Sequence, residues 1–314
     1  MSKSVEIHEK AAVEPGCLLG PGTRVSAFAH IHAGARLGAD CVVGEGVVVE
    51  PEVEIGDGVC IEGGVRLRRG VRLGDAVVVG AGVVFGGEPS PGGPPTGVPR
   101  TAATCVRTGA VLGANVTLWS GITVGQHARV EPGAAVTRDV PAFAVMTGNP
   151  AHVCDYVVTV PKEDPALRGA PGAGLQPVPV GGAQIVLMPV FSDFRGTLSF
   201  GQAPSHLPFI PKRYFITYAV APSQSRGQHA HRQLHQFLAC VKGSCSVLVD
   251  DGRHRARVEL DQPNKGLHVP NWVWAAEFNF SSDAVLLVLA SEGFDKEDYI
   301  GDYDIFLAEL QKRA

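Results

Sequence analysis

The sequence predicts an all-β protein in two parts, a parallel β-helix followed by a small antiparallel barrel. Three observations carry this. An apolar residue recurs at every sixth position through the first half, the second half is built of short alternating apolar and polar runs, and Gly (39) and Pro (23) are abundant while aromatics are only 7%. Many tight turns and a Val-rich apolar set favour sheet over helix. At 314 residues the chain has room for two domains.

The repeat begins at Val13 and steps by six through Leu19, Val25, Ile31, Leu37, Val43, Val49, Ile55, Ile61, Leu67, Leu73, Val79 and Phe85. A second run follows as Val106, Leu112, Leu118, Val124, Val130 and Val136. Neither the 3.6-residue period of a helix nor the period of two of an ordinary strand gives this pattern. A parallel β-helix does: each hexad supplies one short strand and one turn, and the repeated aliphatic points into a prism. Three hexads close one triangular coil, so the two runs supply about six coils. Glycine follows the apolar residue at positions such as Gly20, Gly38, Gly44 and Gly56.

This repeat resembles the hexapeptide acyltransferases, whose left-handed β-helices trimerise and bind acyl-coenzyme A between subunits. Two further stretches share the resemblance. The repeat breaks at "GGEPSPGGPPTGVPRTAATC", where such enzymes extrude a loop over the active site, and "VTRDVPAFAVMTGNPAHV" matches the segment that ends the coil. In "FAHIHAGARLG" the likeness is to enzymes that N-acetylate amino sugars carried on nucleotides. It implies acetyl-coenzyme A as a co-substrate, with Asn149 near the coenzyme. Acyl transfer needs a group that takes a proton from the attacking amine, and His30 and His32 are candidates. The alternative for His30 is a turn residue on the coil surface, and His127 reads as a plain surface residue. The subfamily's Asn-Asp pair is replaced by Gly86, Gly87 and Glu88, so Glu88 is the available polar anchor. A zinc-binding carbonic-anhydrase-type β-helix is disfavoured, because no two histidines lie five apart on a coil face.

From about Val157 the six-residue pattern ends. Residues 1–156 form the β-helix, 157–183 read as a Pro/Gly-rich linker, and 184–314 form the second domain. Its runs, among them "RYFITYAVA", "QFLACVKGSCSVLVDD" and "AVLLVLASEG", alternate apolar and polar residues between turn signals such as Asp250-Asp251-Gly252. An antiparallel jelly roll fits that pattern. The end, "DYIGDYDIFLAELQKR", has helical spacing and reads as a closing helix.

The stretch "RGQHAHRQLHQFLACVKG" carries the chemistry. His229 and His231 are one residue apart, so both rings leave the same face of a strand. That is the spacing of a metal-binding cupin, yet the carboxylate ligand's position holds Gln236. A neutral amide leaves a divalent ion without its charge partner, and His268 is poorly placed as a third nitrogen ligand. The reading is a cupin site built without a metal. Two inward imidazoles beside arginines point to use rather than packing.

The motifs "FSDFRGTLSF", "LPFIPKRYFITYAV", "SRGQHAHRQLHQFLACVKGSCSVLVDDG", "NKGLHVPNWVW" and "DYIGDYDIF" resemble, in order, those of the sugar 3,4-ketoisomerases. These are metal-free, usually dimeric cupins acting on deoxythymidine-diphosphate 4-keto-6-deoxyglucose, and some relatives carry an acetyltransferase β-helix on the same chain. The resemblance implies isomerisation of the 4-keto sugar to its 3-keto isomer without a cofactor. His229 is then the main base and His231 the proton donor or orienter; Tyr218 and Arg226 donate to the sugar oxygens, and Arg195 and Arg213 grip the diphosphate. Gln236 and Trp272 complete the substrate-binding set, with Trp274 an alternative to Trp272 for flanking base or sugar. For each arginine a surface ion pair, and for each tryptophan core packing, is the competing reading. Two positions depart from the family: Phe215 stands where many members have tyrosine, and Gly301 where the terminal motif usually has arginine.

Composition limits the remaining classes. A net charge of -4 gives no reason to expect nucleic acid or a membrane as partner. Without an apolar leader or span, and with seven scattered cysteines read as reduced, the expected location is the cytoplasm. A trimeric β-helix joined to dimeric barrels implies a homo-oligomer, with a hexamer as one closed arrangement. The leading reading is an isomerase. The alternatives are a bifunctional isomerase and N-acetyltransferase, and an isomerase whose β-helix serves only as an oligomerisation scaffold.

Overall fold

The structure is a computed structural model describing residues 3–86, 103–162 and 174–313. It divides into two compact units, Met1–Val157 and Val158–Ala314. Glu88 and most of the Pro/Gly-rich loop lie outside the described residues.

The first unit is a parallel solenoid of two-residue strands, such as Arg24–Val25, His30–Ile31 and Arg36–Leu37, one per hexad. They stack into three sheets of nine, seven and six strands. A strand at Glu6–Ile7, one hexad before the expected start, opens the stack by pairing with Arg24–Val25. The ladder survives the break in the repeat, since Val78 pairs with Val111 and Val84 with Thr117. The hexad residues from Val25 to Val136 are all buried, none above 5% exposed. A second row accompanies them, two residues earlier: Ala29, Ala35, Cys41, Val47, Val53, Val59 and their successors are also buried. Each hexad therefore presents one residue at the strand and a second near the corner.

The glycines after the strands answer to crowding between coils. A Cβ on Gly38 would stand 2.3 Å from Asp57 Oδ1 and 2.7 Å from the Gly56 carbonyl carbon. Asp57 uses that oxygen to accept from the Ala39 amide at 2.7 Å, and Asp75 does the same for the Asp57 amide at 2.8 Å. The solenoid ends in an antiparallel hairpin, Ala144–Thr147 with Val153 and its neighbours in His152–Tyr156. Asn149 occupies its exposed turn.

The second unit is an antiparallel barrel of two main sheets. Six strands run in the order Gly174–Pro177, Gln184–Leu187, Lys265–Val269, Gln236–Lys242, Val285–Ala290 and Arg213–Tyr218. Five run as Arg255–Leu260, Cys245–Asp250, Trp274–Phe278, Arg226–His231 and Tyr299–Ile300. A core including Ile185, Leu238, Val247, Val249, Leu267 and Val288 fills the space between them. Two expectations change here. The segment read as linker contributes an edge strand at Gly174–Pro177, and Val160, Val178 and Val180 join the core. The closing helix is shorter than its motif: it covers Tyr303–Arg313, while the residues before it form a 3-10 turn at Lys296–Asp298 and the strand Tyr299–Ile300. Asp302 starts the helix by accepting from the Ile305 amide at 3.0 Å, and Phe306 anchors it against Trp274, Ala230 and Ile300.

One of the buried carboxyls of the barrel belongs to Glu277. Glu277 shares a strand face with Ala275 of the core and is 8% exposed. Burial pushes its pKa up to about 7, against the opposing pull of Arg226. A folded pKa above the ordinary 4.5 means that its contribution to stability is complete below that value and is lost as pH rises through about 7. Glu277→Gln is expected to flatten the melting-temperature profile of the barrel between pH 5 and 8; an unchanged profile would place the carboxylate in a solvated setting.

Candidate active site

The strand Arg226–His231 carries both histidines into the barrel. Its ladder with Trp274–Phe278 pairs Arg226 with Glu277 and His229 with Ala275, with a register shift between Gly227 and His229. Gly227 at φ +72° and Gln228 at φ +59° make the bulge. A Cβ on Gly227 would come within 2.8 Å of Glu277 Oε2 and 2.9 Å of the Ala275 carbonyl oxygen, so glycine is required by space as well as by backbone. Beyond the bulge the two rings meet. His229 Nε2 lies 3.1 Å from His231 Nε2, and the amide nitrogen of Gln236 is 3.4 Å from the same His231 atom.

Behind His231 stands Asp298. His231 Nδ1 donates to Asp298 Oδ2 at 2.8 Å, and both side chains are buried. The carboxylate is itself held by the backbone amides of Gln233, at 2.7 Å, and Leu234, at 3.3 Å. Tyr299 lies against both rings, with centroids 4.9 Å from His229 and 4.3 Å from His231.

Burial pushes both imidazoles down, His231 to about 4, with His229 lowering it further and Asp298 opposing. Both rings are therefore neutral at pH 7. His231 spends its proton on Asp298, which leaves a lone pair on Nε2. His229 also bonds the Gly227 backbone, an interaction that favours its charged form. With each ring engaged on its far side, the two Nε2 atoms face one another over a place for one shared proton.

Arg213 supplies positive charge to the same space, since it lowers the His231 pKa. Its guanidinium lies over the rings of Phe215 and Phe294, 5.4 and 5.5 Å from their centroids. Nε and Nη2 are buried with no hydrogen-bond partner among the described residues. These two N–H groups are donors left free on a half-buried side chain.

The remaining expected residues are placed elsewhere. On the strand Arg213–Tyr218, Tyr218 alternates to the face opposite Arg213 and Phe215 and joins Tyr214 and Ile216 in an exposed row. Arg226 is exposed, stands opposite Glu277 in the backbone ladder, and lowers the Glu277 pKa through its charge. Arg195 sits on the exposed hairpin Val190–Asp193/Gly196–Ser199 and is engaged with Asp193 at 2.6 Å. The Trp272 ring lies under the guanidinium of Arg313, 4.0 Å from its centroid, and Trp274 packs on Tyr303 and Phe306. Both tryptophans thus serve the closing helix. His268 pairs in register with Phe237, on the face opposite Leu267 and Val269, and its Nε2 meets His235 Nδ1 at 3.1 Å. It lies across the sheet from His231, so it cannot join the pair as a third ligand. Gly301 has open space around it. In the solenoid, His30 and His32 come together on Glu14, and exposed His127 stacks on Phe143 at 5.2 Å.

The family model described as "FdtA: WxcM-like, C-terminal" matches residues 182–311. The TDP-4-oxo-6-deoxy-alpha-D-glucose-3,4-oxoisomerase of Aneurinibacillus thermoaerophilus is 41% identical over 120 residues, 38% of this chain and 86% of that relative. The chain belongs to the sugar 3,4-ketoisomerase family. Among solved structures, a 3,4-ketoisomerase from Helicobacter canadensis is 37% identical to this family member, covering 41% of this chain and 97% of the other with a TM-score of 0.40. The solenoid matches models for "Bacterial transferase hexapeptide (six repeats)" at residues 16–51 and "Hexapeptide repeat of succinyl-transferase" at 108–138. A dTDP-3-amino-3,6-dideoxy-alpha-D-galactopyranose 3-N-acetyltransferase from the same Aneurinibacillus is 44% identical over 54 residues, 17% of this chain and 28% of that enzyme. Among the described residues no helix of this ketoisomerase-family chain is long and apolar enough to cross a membrane.

Asp298 acts through His231, and its loss has a definite signature. Asp298→Asn removes the charge that holds the His231 pKa up, so the acid limb of kcat/KM moves to lower pH while kcat falls by about 100-fold or more. A loss of activity with the acid limb unmoved would assign Asp298 to structure alone.

Proposed function

We propose that the barrel isomerises a nucleotide-linked 4-keto-6-deoxy sugar, of the deoxythymidine-diphosphate 4-keto-6-deoxyglucose type, to its 3-keto isomer. The observation that carries this reading is the convergence of the two Nε2 atoms on one point, with a buried carboxylate behind one ring. The proton on C3 is acidified by the neighbouring C4 carbonyl. His229 takes that proton, the C–H electron pair becomes the C3=C4 bond, and negative charge moves to the C4 oxygen. The unpartnered Arg213 fork is suited to hold that oxygen, the role first expected of Tyr218. A proton passes from the C3 hydroxyl to the C4 oxygen, giving the electron pair that forms the C3 carbonyl. His231, steadied by Asp298, shares the captured proton across the 3.1 Å contact and returns it to C4.

No oxidant enters this balance, because one carbon loses what its neighbour gains. The donors needed are fixed N–H groups, and Gln236 offers an amide where a metal cupin offers a carboxylate. The isomerase reading therefore requires neither metal nor cofactor.

The decisive experiment is proton NMR of the enzyme with the 4-keto-6-deoxy nucleotide sugar in deuterated water. Exchange at C3 together with the 3-keto product is expected, and His229→Asn should lower the rate about 100-fold or more without unfolding the barrel. A folded sample that leaves C3 unexchanged sinks the proposal.

A second activity is favoured by the solenoid, whose likeness to a sugar N-acetyltransferase covers residues in the repeat. In that reading acetyl-coenzyme A acetylates the 3-amino sugar formed later, with His30 or His32 as base and Asn149 beside the coenzyme. Release of free coenzyme A thiol in the presence of the amino-sugar nucleotide is the expected result. If none is released above the uncatalysed rate, the solenoid is a scaffold.

A further inference from the structure

His30, His32 and Glu14 form a compact cluster on the outside of the solenoid. The strand His30–Ile31 is held between Ala12–Val13 and Val48–Val49. With Ile31 buried in the prism, the residues on either side of it turn outward, so both imidazoles leave the same face. Their rings stack with centroids 3.9 Å apart and planes at 29°. Glu14, following the strand one coil earlier, places Oε1 2.8 Å from His30 Nε2 and 3.0 Å from His32 Nδ1. Its other oxygen accepts from the Ala33 amide at 2.9 Å, which fixes the carboxylate's orientation. That amide is also the largest cause holding the Glu14 carboxyl below its ordinary pKa, with His30 next.

We propose that these three side chains bind one divalent transition-metal ion of the zinc class. Among the described residues this is the one group of three His, Cys, Asp or Glu donors with all ligand atoms within 4.8 Å of one another. Ligands about 2.1 Å from a tetrahedral ion stand about 3.4 Å apart, so the two carboxylate–imidazole contacts, now 2.8 and 3.0 Å, need to open by about half an ångström. Two imidazoles and one carboxylate select zinc, cobalt or nickel over magnesium and calcium, which favour all-oxygen shells. The Ala33 amide supplies the outer-shell hydrogen bond that orients a ligating carboxylate. With the side chains of His30, His32 and Glu14 at 38%, 28% and 39% exposure, the fourth position opens to solvent.

The site belongs to the solenoid unit and does not depend on the barrel chemistry. An ion on His30 Nε2 also occupies a nitrogen that a base for acetyl transfer would use, so those two uses of His30 exclude one another.

The test is titration of the chelator-treated full chain with cobalt(II), followed by visible absorption. One high-affinity cobalt per chain is expected, displaced by zinc and not by a large excess of magnesium. The His30→Ala/His32→Ala double variant should lose that spectrum, whereas His229→Asn should keep it. Glu14→Gln, which leaves the surface fold least disturbed, should weaken binding by roughly 10–100-fold. A cobalt spectrum that survives in the double variant, or wild-type protein that binds no cobalt, overturns the proposal and leaves a plain ion pair.

Discussion

An imidazole buried in a barrel has two nitrogens to satisfy, and the hydrogen bond from His231 to Asp298 decides how. By taking Nδ1–H it turns the Nε2 lone pair toward His229, and it supplies the negative charge against which a proton on the pair can be held. The chain's last segment is arranged around this bond. Asp298 closes a 3-10 turn, receives the amides of Gln233 and Leu234, and is followed by a strand that pairs with Ala230 and His231. Arg232 ties the same turn down from outside, donating to the carbonyls of Glu297 and Tyr299 and to both carboxylate oxygens of Glu309 on the helix. The closing helix is thus a brace for the carboxylate behind His231, and the tryptophans beneath it belong to the brace.

The solenoid was almost wholly legible in the sequence because a hexad allows one inward position per strand, and that position must be apolar. The second buried row was harder to see. Alanine, cysteine and valine alternate there, at Ala35, Cys41 and Val47 for example, and small residues are common at exposed positions too. The barrel's strands were legible from their alternation, but the segment around Val178 was not. Its Pro/Gly content resembles a linker, and only its pairing with Gln184–Leu187 makes it a strand.

Within the site, local geometry could be read and distant partners could not. The spacing of His229 and His231 settles their common face. Asp298 lies far along the chain and reaches His231 only through the ladder between Tyr299–Ile300 and Arg226–His231. The aromatic and arginine assignments depended on side-chain direction: five steps along a strand separate Arg213 from Tyr218, an odd number, and that parity sends the tyrosine outside. Trp272 itself sits in a turn, with φ at +60°, beyond the reach of strand parity. A rule for which face each residue takes would have removed Tyr218 from the site and placed His268 behind the sheet.

The ladder that resumes across the interruption of the repeat has a wider consequence. Within the regular coils, a single added residue would rotate every later side chain out of the prism. Between Phe85 and Val106 the chain leaves one coil and rejoins the stack with its pairing intact, Val84 on Thr117 and Leu73 on Val106. At that corner length is uncoupled from register. The solenoid therefore combines regular coils of fixed length with a corner where the chain can change in length without disturbing the strands that follow.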